Sequence, residues 1–310
     1  MKILVRLLGG LLLLALCLVL FVAMRGVPRY DVPAVATRPA PAGTPAELAL
    51  GEKIVRTSCA ECHLNKQTDR LSGHPLRDIP AEFGQVYSAN ITQDTAHGIG
   101  AWSNAEVEGA LRTGIARNRR YLLVMPHYTH LSDGDMAAVL AFLRSRHPWV
   151  QADPTASAEQ QPSFLLKALT NTVMKPTPLL PGPLPTPAST PAVAYGRYLV
   201  TARYLCFDCH SKDHKSNDAL HPEQSAGYLG GGTEFQDLQG RLIRSPNITA
   251  TGIGSWTPAQ LAAALRYGQS PHGALRYPMP IYATLTAEEA QGIYAYLQSV
   301  PRQPAAVAAR

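Results

Sequence analysis

The pattern C-x-x-C-H occurs twice in this chain, at Cys59-Ala-Glu-Cys62-His63 and at Cys206-Phe-Asp-Cys209-His210. Each copy sits in a longer frame that is itself repeated. Gly51 precedes the first copy and Gly196 the second. Downstream, Asn90-Ile91-Thr92 matches Asn247-Ile248-Thr249, and Gly98-Ile99-Gly100-Ala101-Trp102 matches Gly252-Ile253-Gly254-Ser255-Trp256. Ala110-Leu111-Arg112-Thr113-Gly114 matches Ala264-Leu265-Arg266-Tyr267-Gly268, and Met125-Pro126 matches Met279-Pro280. The last matched segments are Ala141-Phe142-Leu143 and Ala295-Tyr296-Leu297. Duplication on this scale implies two units, each with its own core and its own site.

Two thiols at i and i+3 face one side of a helical turn, where they can add to the two vinyl groups of one porphyrin. The adjoining His is then aimed at the iron. This is the c-type haem attachment signature, and it predicts two covalently bound haem c groups, held through Cys59 and Cys62 and through Cys206 and Cys209. His63 and His210 are the expected proximal iron ligands. A zinc half-site or a thioredoxin-like pair would use the same two cysteines. Zinc needs a second ligand pair nearby, however, and a redox pair has no use for His at the fifth position twice. The sixth iron ligand lies on the opposite haem face and must come from far along the chain. Met125 and Met279 hold equivalent places, each before a Pro and shortly before the last predicted helix of its unit, so they are the expected distal ligands. His127 is the nearest rival, but the second unit has Ile281 there. Met136 reads as core and Met174 lies near the linker. Trp102 and Trp256 read either as core or as indole donors to a haem propionate.

Local signals are helical. Ser103-x-x-Glu106 and Thr257-x-x-Gln260 are capping boxes, and Gly114 and Gly268 stand where helix C-cap glycines belong. Ser132-x-x-Asp135 and Thr286-x-x-Glu289 open the last helix of each unit. The Asn-x-Thr triplets recur at a fixed place, which favours a structural turn over glycosylation. The loops are long for helical units of this size, as a large buried cofactor would require.

Leu7–Met24 is a run of 18 uncharged residues, about 27 Å as a helix and just enough to cross a bilayer. An uncleaved membrane anchor is the expected reading. A signal peptide is the alternative, although a fitting cleavage site, Ala34-Val35-Ala36, lies far downstream of the run. Seven prolines between 176 and 191 mark a semi-rigid linker. The formal charge of +6 includes no dense basic block beyond Arg117, Arg119 and Arg120, so nucleic acid is not expected as a partner. The expected organisation is an anchor at 1–25, a spacer at 26–45, a first domain at 46–150, a linker at 151–191, a second domain at 192–303 and a tail at 304–310. The expected fold class is mainly α, with two tandem cytochrome c-like helical domains.

In motif order the two units resemble bacterial class I cytochrome c domains, closest to those in the cytochrome c subunits of membrane-bound alcohol, aldehyde and gluconate dehydrogenases. The resemblance covers both units. It implies His/Met-ligated haems, a periplasmic location and electron passage from a dehydrogenase towards quinone or an oxidase. Together with the N-terminal helix, in which the chain departs from the family, the expected location is the inner membrane, single-pass, with the haem domains in the periplasm and a soluble cytochrome as a further expected partner. It implies no catalytic residue. Many such subunits carry three haem units where this chain has two, which leaves the partner open. The alternatives are a dihaem enzyme of peroxidase or thiosulfate-oxidising type, which needs an open iron, and a subunit of a terminal oxidase.

Overall fold

A computed structural model describes residues 2–35 and 41–304. The fold is mainly helical. Helix α1 (Lys2–Arg25) is the one helix among the described residues long and apolar enough to cross a membrane, and nearly all of its side chains are exposed. It is followed by α2 (Pro45–Ser58), the short α3 (Ala60–His63), α4 (Asn104–Thr113), α5 (Asp133–Leu143) and α6 (Phe164–Thr172). The C-terminal part holds α7 (Ala192–Tyr198), α8 (Cys206–His210), α9 (Ala250–Ile253), α10 (Pro258–Tyr267) and α11 (Ala287–Ser299). The described residues also include three two-stranded antiparallel ribbons, such as Glu234–Gln236 with Leu242–Arg244, and a few short 3-10 and π-helical turns.

Helix boundaries follow the sequence chemistry. Thr44, Ser103, Thr257 and Thr286 each form a full capping box, and Gly114 (φ 73°) and Gly268 (φ 67°) close α4 and α10 in the left-handed conformation. Ser132 caps α5 without the reciprocal bond, because the Asp135 carboxylate is used elsewhere.

The leading and closing helices cross at glycine in both segments. A Cβ on Gly51 in α2 would lie 2.0 Å from the Ala138 carbonyl oxygen in α5. On Gly196 in α7 it would lie 1.8 Å from the Gly292 oxygen in α11. Only a residue without a side chain lets the backbones approach this closely. The buried side chains around these crossings, including Ile54, Val55 and Phe142 and then Leu199, Ile293 and Leu297, belong to one continuous cluster. Met136 lies in it and is 1% exposed, as its place on a capped helix suggests.

Two features depart from the expected simplicity. Gly51 is eight positions from Cys59, whereas Gly196 is ten from Cys206. A π-helical stretch at Leu199–Arg203 and a left-handed Leu205 (φ 49°) absorb the difference. The stretch 151–191 is also more ordered than a plain linker. It contains α6, and its proline-rich half lies along the N-terminal segment. Asp133 N donates to Leu184 O (2.7 Å), Leu184 N donates to the Asp133 carboxylate (3.0 Å), and Thr177 N donates to Thr113 O (3.2 Å). The spacer after α1 is likewise tied down, with Tyr30 N donating to Arg119 O at 2.9 Å. Pro39, Ala36 and all of the tail after residue 304 lie outside the described residues.

Candidate functional site

The two C-x-x-C-H pentapeptides end in histidines held in the same way. His63 donates Nδ1–H to the Ala89 carbonyl at 2.7 Å, and His210 donates Nδ1–H to the Pro246 carbonyl at 2.9 Å. A carbonyl can only accept, so the proton sits on Nδ1 and Nε2 keeps its lone pair. Burial pushes both imidazoles below their usual pKa and keeps them neutral, the form that binds a metal.

Each accepting carbonyl belongs to the residue just before a repeated Asn-Ile-Thr. Asn90 Oδ1 accepts from Thr92 N (2.9 Å) and Thr92 Oγ1 (2.7 Å), and Asn247 Oδ1 accepts from Thr249 N (2.8 Å) and Oγ1 (2.7 Å). The Asn90 amide donates to Asp153 O and Thr155 O, and the Asn247 amide to Gln303 O and Pro304 O. All four Asn and Thr side chains are buried. The triplets are therefore turns that hold the carbonyl behind each histidine.

The four motif thiols are free. Desolvation of the half-buried Cys59, Cys62 and Cys206 raises their thiols to about 12. Redox-active cysteines are tuned in the opposite direction. Among the described residues no group of three or more His, Cys, Asp or Glu is arranged to hold a metal ion.

Met125 and Met279 are half-buried and pack against the main core. The end of each Met-Pro loop is gripped by the repeated arginine. Arg112 donates to Leu131 O at 2.9 Å and Arg266 to Leu285 O at 2.6 Å. His127, the rival to Met125, has one ring nitrogen hydrogen-bonded and its ring packed on the Gly114 backbone. Nδ1 is 2.6 Å from Thr177 Oγ1, and Nε2 packs on Gly114, 2.0 Å from where a Cβ there would be. Burial lowers the His127 pKa to about 4.

Trp102 and Trp256 both pack on the core. Trp256 Nε1 is buried and has no partner among the described residues. An indole N–H can only donate, and a haem propionate would satisfy it. Each segment thus provides two thiols, an imidazole with Nε2 free and a thioether, which is the donor set a covalently bound haem requires.

A second cluster, which sequence reasoning missed, joins the two segments. Arg203 donates to the Asp135 carboxylate at 2.6 and 2.9 Å and to Glu289 at 2.8 Å. Lys53 pairs with the other Glu289 oxygen, and Tyr198 OH donates to Asp135. The available signal was a lone arginine in the otherwise uncharged run Tyr198–Tyr204. In the sequence, Asp135 and Glu289 look only like capping residues.

The cytochrome c family model matches residues 48–147. The chain is 31% identical over 274 residues to a subunit of nicotinate dehydrogenase from Pseudomonas putida, covering 81% of this chain and 21% of that protein. It is 30% identical over 292 residues to the fructose dehydrogenase cytochrome subunit of Gluconobacter japonicus, covering 90% of this chain and 56% of that one. A diheme cytochrome c-type protein of Cereibacter sphaeroides is 28% identical over 274 residues, covering 84% of this chain and 88% of that one. The chain therefore spans only a fifth to about half the length of the first two relatives. Residues 48–147 carry a cytochrome c domain, which implies covalently bound haem c, and relatives of the chain include the cytochrome c subunits of fructose, alcohol and gluconate dehydrogenases.

Proposed function

We propose that this chain is a membrane-anchored dihaem cytochrome c that passes single electrons from a dehydrogenase towards quinone, an oxidase or another cytochrome. Its haem domains, 46–150 and 192–303, are joined by the proline-rich linker and lie on the periplasmic side of the inner membrane. Cys59, Cys62, Cys206 and Cys209 form the thioether bonds. His63 with Met125, and His210 with Met279, are the axial ligands. A haem held in this way supplies a reversible one-electron couple.

The observation that carries this reading is the matched pair of histidine–carbonyl bonds, His63 to Ala89 and His210 to Pro246. Each fixes the tautomer and the ring orientation that an iron ligand needs, and a stronger Nδ1 hydrogen bond makes the ligand more basic. The chain's own residues hold, orient and bury the groups. A matched methionine in each segment leaves no open coordination position for a substrate, which weighs against a dihaem enzyme. For the anchor, the support is α1, a 24-residue helix about 36 Å long with exposed leucines along its length.

The test is to purify the full chain from membranes and titrate it with reductant. Two one-electron steps, and copurification with a dehydrogenase subunit, are expected. Peroxide or thiosulfate turnover by the pure chain, or rapid stoichiometric carbon monoxide binding to both reduced irons, would refute it.

A further inference from the structure

Where α1 ends, the segment that follows it, the loop at 116–120 and the start of α6 enclose an open pocket of about 510 Å³. Arg25, Arg29, Arg120 and Lys167 line it, with Gln160 and Gln161 as further polar groups and no carboxylate in its wall. Arg29 and Arg120 are backbone neighbours in an antiparallel bridge, which places their charges side by side. Among the described residues none of the four cations makes an ion pair. Arg25 is stacked over Phe21, and the nearby Asp31 is taken by Arg119 at 2.6 Å. Four like charges converging without an acid repel one another, and an anion relieves that repulsion.

The surroundings narrow the choice of anion. Arg25 is the last residue of the apolar helix, so a membrane-spanning α1 puts the pocket at headgroup level. Helix α6, which packs against α1, leaves Phe164 46% and Leu165 42% exposed beside the pocket wall. Free phosphate would have no use for those apolar side chains. A phospholipid has both halves, a phosphate for the cations and acyl chains for Phe164 and Leu165.

We infer that this pocket binds the phosphate headgroup of an anionic phospholipid and so fixes the first haem domain against the bilayer. The inference rests on the anchor reading of α1. Gln161 supplies a neutral donor to the ester oxygens, while Gln160 is held by the Tyr87 backbone, its Nε2 donating to Tyr87 O at 2.7 Å and its Oε1 accepting from Tyr87 N, and the arginines supply charge-assisted donors.

The test uses the full holoprotein in nonionic detergent, titrated with phosphatidylglycerol, phosphatidylcholine or inorganic phosphate and followed by native mass spectrometry. Phosphatidylglycerol is expected to bind about tenfold more tightly than phosphatidylcholine, a difference of about 1.4 kcal/mol. R29Q/R120Q should abolish the preference while keeping the haem spectrum, which reports correct folding. Millimolar inorganic phosphate should not displace the lipid. Equal binding of the two lipids, an unchanged preference in R29Q/R120Q, or displacement by phosphate would each overturn the proposal. The same spectrum gives the chain's mass. If α1 is present and there is no preference, only the pocket proposal falls; if α1 has been removed, the anchor reading falls and the pocket proposal with it.

Discussion

Arg203, on the π-helical stretch, holds the carboxylate of Asp135, at the start of α5, in a two-pronged ion pair of 2.6 and 2.9 Å, with side chains 4% and 1% exposed. The pair crosses from the C-terminal to the N-terminal segment, and Glu289 and Lys53 continue it back and forth. Buried charges of this kind tolerate little movement, so the pair ties the π-helical stretch before the second attachment motif to α5 of the N-terminal segment. Arg203→Met leaves Asp135 without its counter-charge and Glu289 with Lys53 alone. It should cost about 3–5 kcal/mol in denaturant unfolding, and Arg203→Met with Asp135→Leu should cost clearly less. A single-substitution cost below about 0.5 kcal/mol would mean the pair is not buried as described.

Asn247→Ala removes the turn that holds the Pro246 carbonyl behind His210. The loss should destabilise the chain by about 1–3 kcal/mol, the cost of unsatisfied buried groups. A weaker Nδ1 bond makes His210 a poorer donor, so the potential of the second haem should rise while the first stays put. Asn90→Ala should do the reverse. Redox titration of the two variants checks the pairing of turn and haem.

Met125→Ala and Met279→Ala should each remove half of the weak long-wavelength sulfur-to-iron absorption and open one iron to carbon monoxide. His127→Ala should leave that absorption intact, because one of its ring nitrogens is bonded to Thr177 and the other packs on Gly114. If His127→Ala changes the ligand field of the first haem and Met125→Ala does not, the ligand assignment there is wrong.

Acid should weaken the first segment through Asp153. Burial alone would raise this carboxyl, but hydrogen bonds from Thr155, with others from Thr68 and Ser72, outweigh it and hold its pKa below the usual value. The folded chain therefore binds this proton less readily than the unfolded one. The resulting stability is complete above the unfolded pKa, about 3.9, and is lost as pH falls through the lower folded value. Asp153→Asn should lose less stability than the parent between about pH 4 and pH 2, measured by thermal unfolding across that range.

Gly51→Val and Gly196→Val should each prevent formation of a haem-loaded chain, since the helix crossings have no room for a Cβ. Overpacking usually costs about 1–3 kcal/mol, and more where the obstacle is backbone. Haem-stained gels of membrane fractions report the outcome.

Much of this was legible in the sequence, because the chemistry was written twice. The cysteines, histidines and methionines stood out as repeats, and the caps at Ser103, Thr257 and Thr286 obey local rules that hold in any context. The turn role of Asn90 and Asn247 was legible too, although not that each turn backs a histidine. That link depends on residues 26 and 36 positions apart meeting in space. The Arg203 cluster was hidden for the same reason and one more: it is an asymmetric contact between the repeats, so it has no internal counterpart. The order within 151–191 was hidden because its prolines are tied through their neighbours, Thr177 and Leu184, to residues far back in the chain.

The most direct measurement is the intact mass of the chain purified from membranes, taken for the parent, for Cys59→Ala/Cys62→Ala and for Cys206→Ala/Cys209→Ala. The parent should carry the mass of two haems, and each double variant should keep one, with the remaining haem still low-spin. A parent with a single haem or none, or a double variant that keeps both, would contradict two separate thioether-bound sites.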